Sequence, residues 1–313
     1  MSSSPYLLEV SNLCQHFKSG RGKKKHTVKA VDDVSFGVRP AETFGLVGES
    51  GCGKTTTGRT IIRLYDPTSG SVSFDGREIS GRMNRDLRRY LTSNIAMIFQ
   101  DPIESLNPRM TIEEIIGEGL KVRGHKDIDK IRASVVEMLK KVGLNEEHAT
   151  RYPHEFSGGQ RQRIGIARAI IVRPKMIIAD EPVSALDVSI QAQVINLLND
   201  LKEELGLTIL FIAHNLSVVK YFSDRIGVMY YGHLVEIARG DDLYAKPLHP
   251  YTRALLSAIP EPNPITERTR KRIDYDPERD HDYSNEKPSL VEIEPEHFVY
   301  CSAPELQRYK KLV

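Results

Sequence analysis

The sequence predicts an α/β protein built on a parallel β-sheet, and three observations support this class. Two continuous apolar runs, KMIIADEP and LTILFIAHN, have the length and composition of strands that a parallel sheet buries on both faces. A helical pattern from Gln191 to Leu205 lies between them and completes a β–α–β unit. A third apolar run, TFGLVG, leads directly into a glycine-rich loop and a predicted helix, Lys54 to Tyr65.

The other elements follow the same patterns. YLLEVSNL, VKAVDDVSFGV and GSVSFDG predict strands, and RIGVMYYGHLVEI predicts a hairpin with its turn near Gly232. Residues from about 101 to 172 have helical spacing, with Gly143 as a helix stop, and are interpreted as a mostly helical insertion. From Glu261 to about His297 the chain is rich in charge and proline, which indicates a linker or an extended tail.

Composition limits the classes of function. The chain has 313 residues, and its formal charge of +2 comes from 44 basic and 42 acidic residues, so overall charge does not favour nucleic-acid binding. No apolar run reaches the about 18 to 20 residues of a membrane span, and the start has no secretion-signal pattern. Three scattered cysteines, Cys14, Cys52 and Cys301, form neither a disulfide framework nor a metal-ligand spacing. We therefore expect a cytosolic protein that could act at a membrane only from the membrane surface, without spanning it.

The glycine-rich loop is the first candidate site. Gly48 to Thr55 matches G-x-x-x-x-G-K-[ST], in which backbone N–H groups close around phosphates. Lys54 can reach the β- and γ-phosphate oxygens, and the Thr55 hydroxyl can bind Mg²⁺. A chance glycine-rich turn is the alternative, but the strand before the loop and the helix after it favour a phosphate site.

Polar residues at the ends of three apolar strands are the next candidates. Asp180 ends one strand, where a carboxylate can support Mg²⁺, and the adjacent Glu181 can polarise a water molecule. His214 ends the following strand, and Gln100 ends the short strand MIFQ, from which it could touch the metal or the attacking water. The alternatives are an ordinary acidic loop for the carboxylates, and a core or capping role for His214.

A second anion site is indicated at FSGGQRQRIGIARAI. Ser157 is a predicted N-cap, and the helix start that follows gathers unpaired N–H groups and the positive end of the helix dipole. The sequence therefore predicts a second anion site besides the glycine loop.

Taken in order, the glycine loop, FQDP, SGGQ, ADEP, SALD and AHN resemble the ATP-binding subunit of an ABC transporter over residues 6–260. The resemblance implies a P-loop NTPase (RecA-like) core with an antiparallel β subdomain, an inserted helical subdomain and a C-terminal extension. It implies domain limits of 1–260, with the insertion at about 101–172, and of 261–313 for the extension.

The resemblance also implies roles for single residues. Phe17 would stack on adenine, Gln100 would link the metal site to the membrane partner, and Glu181 would polarise the water. His214 would hold the γ-phosphate, and Asp187 in SALD would act across a dimer; Phe156 stands where the family usually has Leu. The implied ATP-binding set is Phe17, Gly48, Glu49, Ser50, Gly51, Cys52, Gly53, Lys54, Thr55 and Thr56. The implied metal set is Thr55, Gln100 and Asp180, and the implied dimer set is Ser157, Gly158, Gly159, Gln160 and Asp187.

In the family, two such domains pack head to tail, and each ATP lies between the glycine loop of one and the Ser-Gly-Gly-Gln of the other. The resemblance therefore implies ATP and Mg²⁺ as ligands and a second ATPase subunit, for which the branch suggests a paralogue. It further implies two membrane permease subunits, an indirect link to a solute-binding protein, no nucleic-acid partner, and a peripheral place on the cytoplasmic face of the plasma membrane.

The segment Tyr230 to Pro260, above all HPYTRALL, resembles the oligopeptide and dipeptide importer branch. Some members of that branch have a Cys-rich tail for an iron–sulfur cluster; because only Cys301 is present here, we expect no cluster. Another solute, such as a sugar or a metal chelate, and a soluble ABC-type ATPase acting on DNA or ribosomes stay open as alternatives. Cys52 is interpreted as a small residue that fits within the glycine loop, and the alternative hypothesis is that the helix start and Lys54 lower the pKa of its thiol.

Overall fold

The computed structural model describes residues 4–20, 26–101, 105–259, 271–281, 283 and 286–312. The chain divides into two compact units. The first consists of residues 1–38, 43–80 and 213–313, and the second of residues 39–42 and 81–212. Within the described ranges, none of the helices combines the length and the apolar character that a membrane crossing requires.

The strands, in chain order, are β1 (Leu8–Ser19), β2 (His26–Val38), β3 (Thr43–Val47), β4 (Ser69–Phe74), β5 (Arg77–Glu78), β6 (Ile95–Ile98), β7 (Met176–Asp180), β8 (Thr208–Ala213), β9 (Arg225–Tyr230), β10 (His233–Arg239), β11 (Ser289–Glu294) and β12 (His297–Cys301). The helices are Lys54–Ile61, Arg85–Asn94, Ile112–Val122, Ile128–Lys141, Gly158–Ile170, Val188–Leu205, Leu216–Phe222, Gly240–Ala245, Pro250–Ser257, Pro277–Asp280 and Ala303–Tyr309. Short 3-10 turns cover Glu146–Thr150 and Pro153–Glu155.

The first unit contains an antiparallel sheet with the strand order β2-β1-β4-β5. Leu8 of β1 lies opposite both Val38 of β2 and Phe74 of β4, and all three side chains are buried. This pairing of apolar residues fixes the register of β1 between its two neighbours, because a slip by one residue would turn them to the other face.

The same unit contains five further strands in the order β11-β12-β10-β9-β3. β3 and β9 are parallel, whereas β9 and β10 form the predicted hairpin, with Tyr230 opposite His233. Gly232 lies in the turn with φ 86°, a conformation that glycine adopts without steric cost. The hairpin prediction is therefore confirmed.

The interpretation of residues from Glu261 to about His297 as a linker or extended tail is wrong for its second half. Helix Pro277–Asp280 and strand β11 lie within it, and β12 follows directly. β12 pairs with β10, where Val299 lies opposite Glu236. Local composition could not reveal this pairing, because the two strands are far apart in the sequence. Residues 261–270 lie outside the described residues.

In the second unit, β6, β7 and β8 are adjacent and parallel, and the parallel pairing of β7 with β8 is the one that the sequence predicts. Every residue of β7 and β8 is buried, which explains why both strands appear in the sequence as continuous apolar runs. The connecting helix, Val188–Leu205, begins slightly earlier than the predicted Gln191 and ends at Gly206, which has φ 63°.

The second unit also contains the helices of the predicted insertion. Thr111 forms a capping box with Glu114 at the start of helix Ile112–Val122, so this start is encoded locally. Gly143, with φ 73°, follows helix Ile128–Lys141, as the sequence predicts. The domain limits of 1–260 and 261–313 stay a prediction.

Candidate functional site

The glycine loop connects β3 to helix Lys54–Ile61 in the first unit, and two of its glycines are sterically required. A Cβ on Gly48 would lie 2.2 Å from the Met229 carbonyl oxygen, and one on Gly53 would lie 2.1 Å from the Ala30 carbonyl oxygen. Beside Gly51, by contrast, a Cβ would meet no heavy atom within 4 Å. The loop therefore lies directly against neighbouring backbone at Gly48 and at Gly53, whereas the space beside Gly51, between them, is open.

Lys54 places its ammonium inside this loop. Its side chain is buried, and Nζ donates hydrogen bonds of 2.8 Å to the carbonyl oxygens of Gly48 and Glu49. Gly53, the N-cap residue, has no side chain that could cap the helix, so the first-turn N–H groups suit an anion. An open glycine, an uncapped helix start and a buried cation together fit a polyphosphate.

Cys52 does not fit the hypothesis of an activated thiol. Its side chain is 5% exposed, and burial raises the pKa of the thiol, although the nearby Lys54 opposes the shift. The hypothesis that the pKa is lowered is therefore wrong: the loss of hydration on burial exceeds the attraction of the ammonium. The position of Cys52 within the loop agrees with the other interpretation, a small residue that fits there.

Two hydrogen bonds from distant parts of the chain hold the loop, and sequence reasoning missed both. The Glu49 N–H donates to the Tyr251 hydroxyl at 3.2 Å, and the Gly232 N–H donates to the Cys52 carbonyl at 2.9 Å. Tyr251 belongs to HPYTRALL, which the sequence analysis used only as a marker of the branch. That segment was the available signal, but nothing in it pointed to the glycine loop.

Two further candidates belong to the first unit. Phe17, near the end of β1, is half-buried and contacts Tyr65 edge-on, with ring centroids 5.3 Å apart. His214 follows the last residue of β8 and is exposed, which contradicts the alternative of a core histidine. The N-cap residue of the next helix is Asn215, which accepts a hydrogen bond from the Ser217 N–H.

The acidic candidates lie in the second unit, and the structure brings two of the catalytic candidates together there. Asp180 is buried at the end of β7. The Gln100 side-chain amide donates a hydrogen bond of 3.3 Å to a carboxylate oxygen of Glu181. Glu181 has φ 45°, a left-handed conformation in which non-glycine residues are uncommon and which occurs often at functional sites. Its N–H is held by the Ile212 carbonyl at 2.9 Å, so β8 fixes this conformation.

The Ser157 helix start has the predicted N-cap. The Ser157 hydroxyl accepts from the Gln160 N–H at 3.4 Å, and the Gln160 side chain accepts from the Ser157 N–H at 3.0 Å, which completes a capping box. Phe156 is buried and anchors the chain just before the cap, whereas Ser157 and Gly158 are exposed. The helix start is therefore exposed to solvent, while the buried Phe156 side chain holds the preceding residue in place.

Helix Val188–Leu205 packs closely against this start. A Cβ on Gly159 would lie 2.6 Å from Cγ2 of Ile190, so a side chain at this position would push the two helices apart. Asp187 is the N-cap residue of that helix, but its side chain makes no capping hydrogen bond and is exposed. The carboxylate of Asp187 is therefore exposed and does not cap its own helix.

Among the residues that the structure describes, one cluster of metal-ligand types occurs outside the predicted set. The donor atoms of Cys14, His16 and Asp32 lie within 4.8 Å of one another in the first unit. His16 Nε2 is 3.1 Å from one Asp32 oxygen, and the Lys29 ammonium is 3.0 Å from the other. Burial raises the pKa of Asp32, but the hydrogen bonds from Lys29 and His16 outweigh it and leave the pKa lowered. Because the carboxylate is already paired with a cation, we interpret the cluster as an ion-pair group.

Comparisons with known proteins agree with this geometry. Residues 31–184 match the family described as "ABC transporter", and residues 235–285 match "Oligopeptide/dipeptide transporter, C-terminal region". The oligopeptide transport ATP-binding protein OppF of Bacillus subtilis is 58% identical, with 97% of this chain and 98% of that protein covered. AmiF of Streptococcus pneumoniae, another oligopeptide transport ATP-binding protein, is 53% identical over 98% of this chain and 99% of its own length. The dipeptide transport ATP-binding protein DppF of Lactococcus lactis is 51% identical over 99% of both chains.

Solved structures give the same answer for the fold. The ATP-binding cassette MJ0796, solved as a dimer bound to ADP and Pi, matches with a TM-score of 0.67 and 29% identity, over 74% of this chain and 98% of that one. CbiO1 from Clostridium perfringens, part of an ABC transporter complex, matches with a TM-score of 0.67 and 26% identity, over 78% and 92%. The predicted fold class, an α/β P-loop NTPase, is thereby confirmed. The chain therefore belongs to the ATP-binding proteins of the ABC transporter family, in the branch named for oligopeptide and dipeptide transport.

Proposed function

We propose that this chain binds ATP with Mg²⁺ and hydrolyses the ATP to energise the import of oligopeptides or dipeptides through separate membrane subunits. The observation that carries the proposal is the glycine loop, in which a buried lysine, an open glycine and an uncapped helix start converge. The near full-length similarity to proteins named for oligopeptide transport supports peptides as the cargo.

In this proposal, the loop from Gly48 to Thr56 holds the triphosphate. Lys54 exchanges its two loop carbonyls for β- and γ-phosphate oxygens, which are stronger acceptors because they are charged. Phe17 stacks on adenine with the ring face that its edge-on contact with Tyr65 leaves available. Thr55, Gln100 and Asp180 hold Mg²⁺, which neutralises phosphate charge when bound.

Glu181 is the proposed residue that polarises the attacking water. The hydrogen bond from Gln100 orients the Glu181 carboxylate, and the bond from its N–H to Ile212 keeps the backbone in its left-handed conformation. A carboxylate held in this way is prepared to accept a proton without reorganising at the moment of reaction. His214, exposed at the end of β8, is the proposed contact to the γ-phosphate.

We assign the Ser157 helix start to a nucleotide held by a second ATPase subunit, a paralogue in the arrangement that the branch resemblance implies. Ser157 and Gly158 are exposed, and the buried Phe156 holds the chain just before them. Asp187 is also exposed, at the start of the helix that packs against the Ser157 helix. ATP would then join two protomers head to tail, and loss of the γ-phosphate would remove the charge that both sides bind. The dimeric structure of MJ0796, a bacterial ABC transporter cassette, is compatible with such an arrangement.

The proposed membrane partners are two permease subunits, with a solute-binding protein acting indirectly. A groove of about 850 Å³ in the second unit, lined by both apolar and charged residues, offers a place for a permease segment. Phe99, next to Gln100, lines it, and Val122 on its rim is 77% exposed. Arg123 fixes one wall by donating to the carbonyl oxygens of Thr92 and Ser93. Docking there would hold the chain on the cytoplasmic face of the membrane.

Substitution of Ser157 tests the proposed dimer. Ser157→Arg places a long side chain on the proposed anion site, so we expect ATP-driven association and turnover to fall while ATP binding to the protomer is kept. Thr111→Ala is the matched control, because it removes another capping box of the second unit, at a cost of about 1 kcal/mol. Unchanged association and hydrolysis in Ser157→Arg would contradict the assignment of this helix start.

Cargo is tested separately, with the intact assembly in proteoliposomes. Peptide-dependent ATP hydrolysis and peptide uptake are the expected results, whereas stimulation by a sugar or a metal chelate would move the function to another solute. Failure to copurify with membrane proteins would instead favour a soluble ABC-type ATPase.

A further inference from the structure

We propose that Tyr251 is a positioning residue for ATP binding: its hydroxyl ties the C-terminal part of the chain to the glycine loop and keeps the loop in the shape that receives phosphates. The inference rests on the proposed function, because it assigns a second element to the same nucleotide site. It concerns a segment, HPYTRALL, for which sequence reasoning found no chemical role.

The contact itself holds one peptide group of the loop. The Glu49 N–H donates to the Tyr251 hydroxyl at 3.2 Å, and the Gly48 carbonyl, which belongs to the same peptide group, accepts from the Lys54 ammonium at 2.8 Å. The plane of this peptide is therefore set on one side by Tyr251 and on the other by the lysine that would bind the triphosphate. A change in the tilt of this peptide would move an acceptor of the ammonium.

Tyr251 is itself held by buried polar groups. Its N–H donates to Nδ1 of His249 at 3.1 Å, and the His249 N–H donates to a Glu236 carboxylate oxygen at 3.0 Å. The other Glu236 oxygen accepts from the Leu248 N–H at 2.7 Å and lies 2.7 Å from Nε2 of His297. Glu236 belongs to β10 and His297 to β12, so two strands fix the segment that begins with Leu248.

The ring of Tyr251 is enclosed by residues that include the chain beyond residue 271. Its centroid lies 4.5 Å from that of Tyr230 and 5.4 Å from that of Tyr275. Tyr275 in turn contacts the ring of His281, whose Nδ1 is 2.5 Å from a carboxylate oxygen of Glu305. The residues beyond 271, among them Tyr275, thus form one side of the space around the Tyr251 ring. The position of the Tyr251 hydroxyl therefore depends on them.

This arrangement leaves the phosphate-facing part of the loop to the nucleotide. Tyr251 holds Glu49, and the hairpin residue Gly232 holds the Cys52 carbonyl, whereas the space beside Gly51 is open. Both attachments act on loop groups other than the first-turn N–H groups of the helix. Tyr251 is therefore suited to set the geometry of the loop without touching ATP.

The test is Tyr251→Phe in the full-length chain assembled with its partner subunits, because this change removes the hydroxyl and keeps the enclosed ring. Mg²⁺-ATP binding is measured by calorimetry and turnover by phosphate release. We expect the Kd and KM for ATP to rise about 2- to 10-fold, the effect of one lost hydrogen bond, with kcat changed by less. Tyr283→Phe is the matched control: it removes a hydroxyl that lies 2.9 Å from His281 in the same segment. It should leave Kd unchanged.

Hydrogen exchange at the Glu49 amide provides a second measurement, and it should become faster in Tyr251→Phe only. Wild-type affinity in Tyr251→Phe overturns the inference, as does an equal loss in both variants, which would indicate general loosening of the enclosure. A wild-type chain that does not bind ATP would refute the proposed function itself, so the two failures are distinguishable.

Discussion

Acidification is expected to destabilise the first unit through His249. The imidazole is 1% exposed, and burial, assisted by the charges of His281 and Arg253, lowers its pKa to about 3. In the unfolded chain the same group takes up a proton at about pH 6.5. The stabilisation is therefore complete above about pH 6.5 and is lost as the pH falls towards 3, because the unfolded state binds the proton first. Between pH 6.5 and 5 the loss amounts to about 2 kcal/mol, at about 1.4 kcal/mol per pH unit.

The assay is urea unfolding of the wild type and of His249→Asn at pH 7.5, 6.5 and 5.0. Asparagine retains an oxygen acceptor for the Tyr251 N–H but has no proton to take up, so other titrating groups contribute equally to both chains. We expect the variant to be less stable at pH 7.5 and the difference to shrink by about 2 kcal/mol at pH 5.0. Parallel pH profiles for the two chains would refute the assignment of a buried, neutral His249.

Three other predictions concern the nucleotide site. Glu181→Gln should abolish phosphate release and trap an ATP-bound dimer, because an amide cannot accept the proton from water; undiminished hydrolysis would argue against Glu181 as the polarising group. Gly48→Ala should lower both the melting temperature and ATP affinity, since its Cβ would lie 2.2 Å from the Met229 carbonyl oxygen. Gly51→Ala, which meets open space, should lower the melting temperature less, and equal losses would contradict the steric account. Cys52 should be alkylated slowly because it is buried, and ATP should slow the reaction further; equal labelling with and without ATP would refute its place at the site.

Where local sequence determines local structure, the sequence predicted the elements well and their ends less well. The continuous apolar runs became β7 and β8 because both faces of these strands are buried. The first helix ends at Ile61 rather than at the predicted Tyr65, since Arg63 adopts φ 62° and turns the chain before the DPTSG signal is reached. A left-handed arginine has no local signature, so this end could not be predicted from residue type.

What the sequence could not predict depends on pairs that are far apart. Glu236 meets His297, and Tyr251 meets Glu49 across 202 positions. Neither pair leaves a periodic pattern, because each partner has its own unremarkable local context. The contact between Gln100 and Glu181 has a simpler origin, because both residues follow neighbouring parallel strands that end at the same edge.

The helix starts at Lys54 and at Ser157, which both contact ATP in the proposed dimer, differ in a way that predicts unequal affinities for the triphosphate. The start at Lys54 has an N-cap glycine and a buried ammonium, so it can hold a triphosphate by itself. The start at Ser157 already satisfies the Gln160 N–H within its capping box, which leaves fewer donors. The Ser157 helix start should then bind only a nucleotide that the glycine loop of the other protomer already holds. A weak contact of this kind would release when hydrolysis removes the γ-phosphate, whereas two equally strong sites would keep the protomers joined.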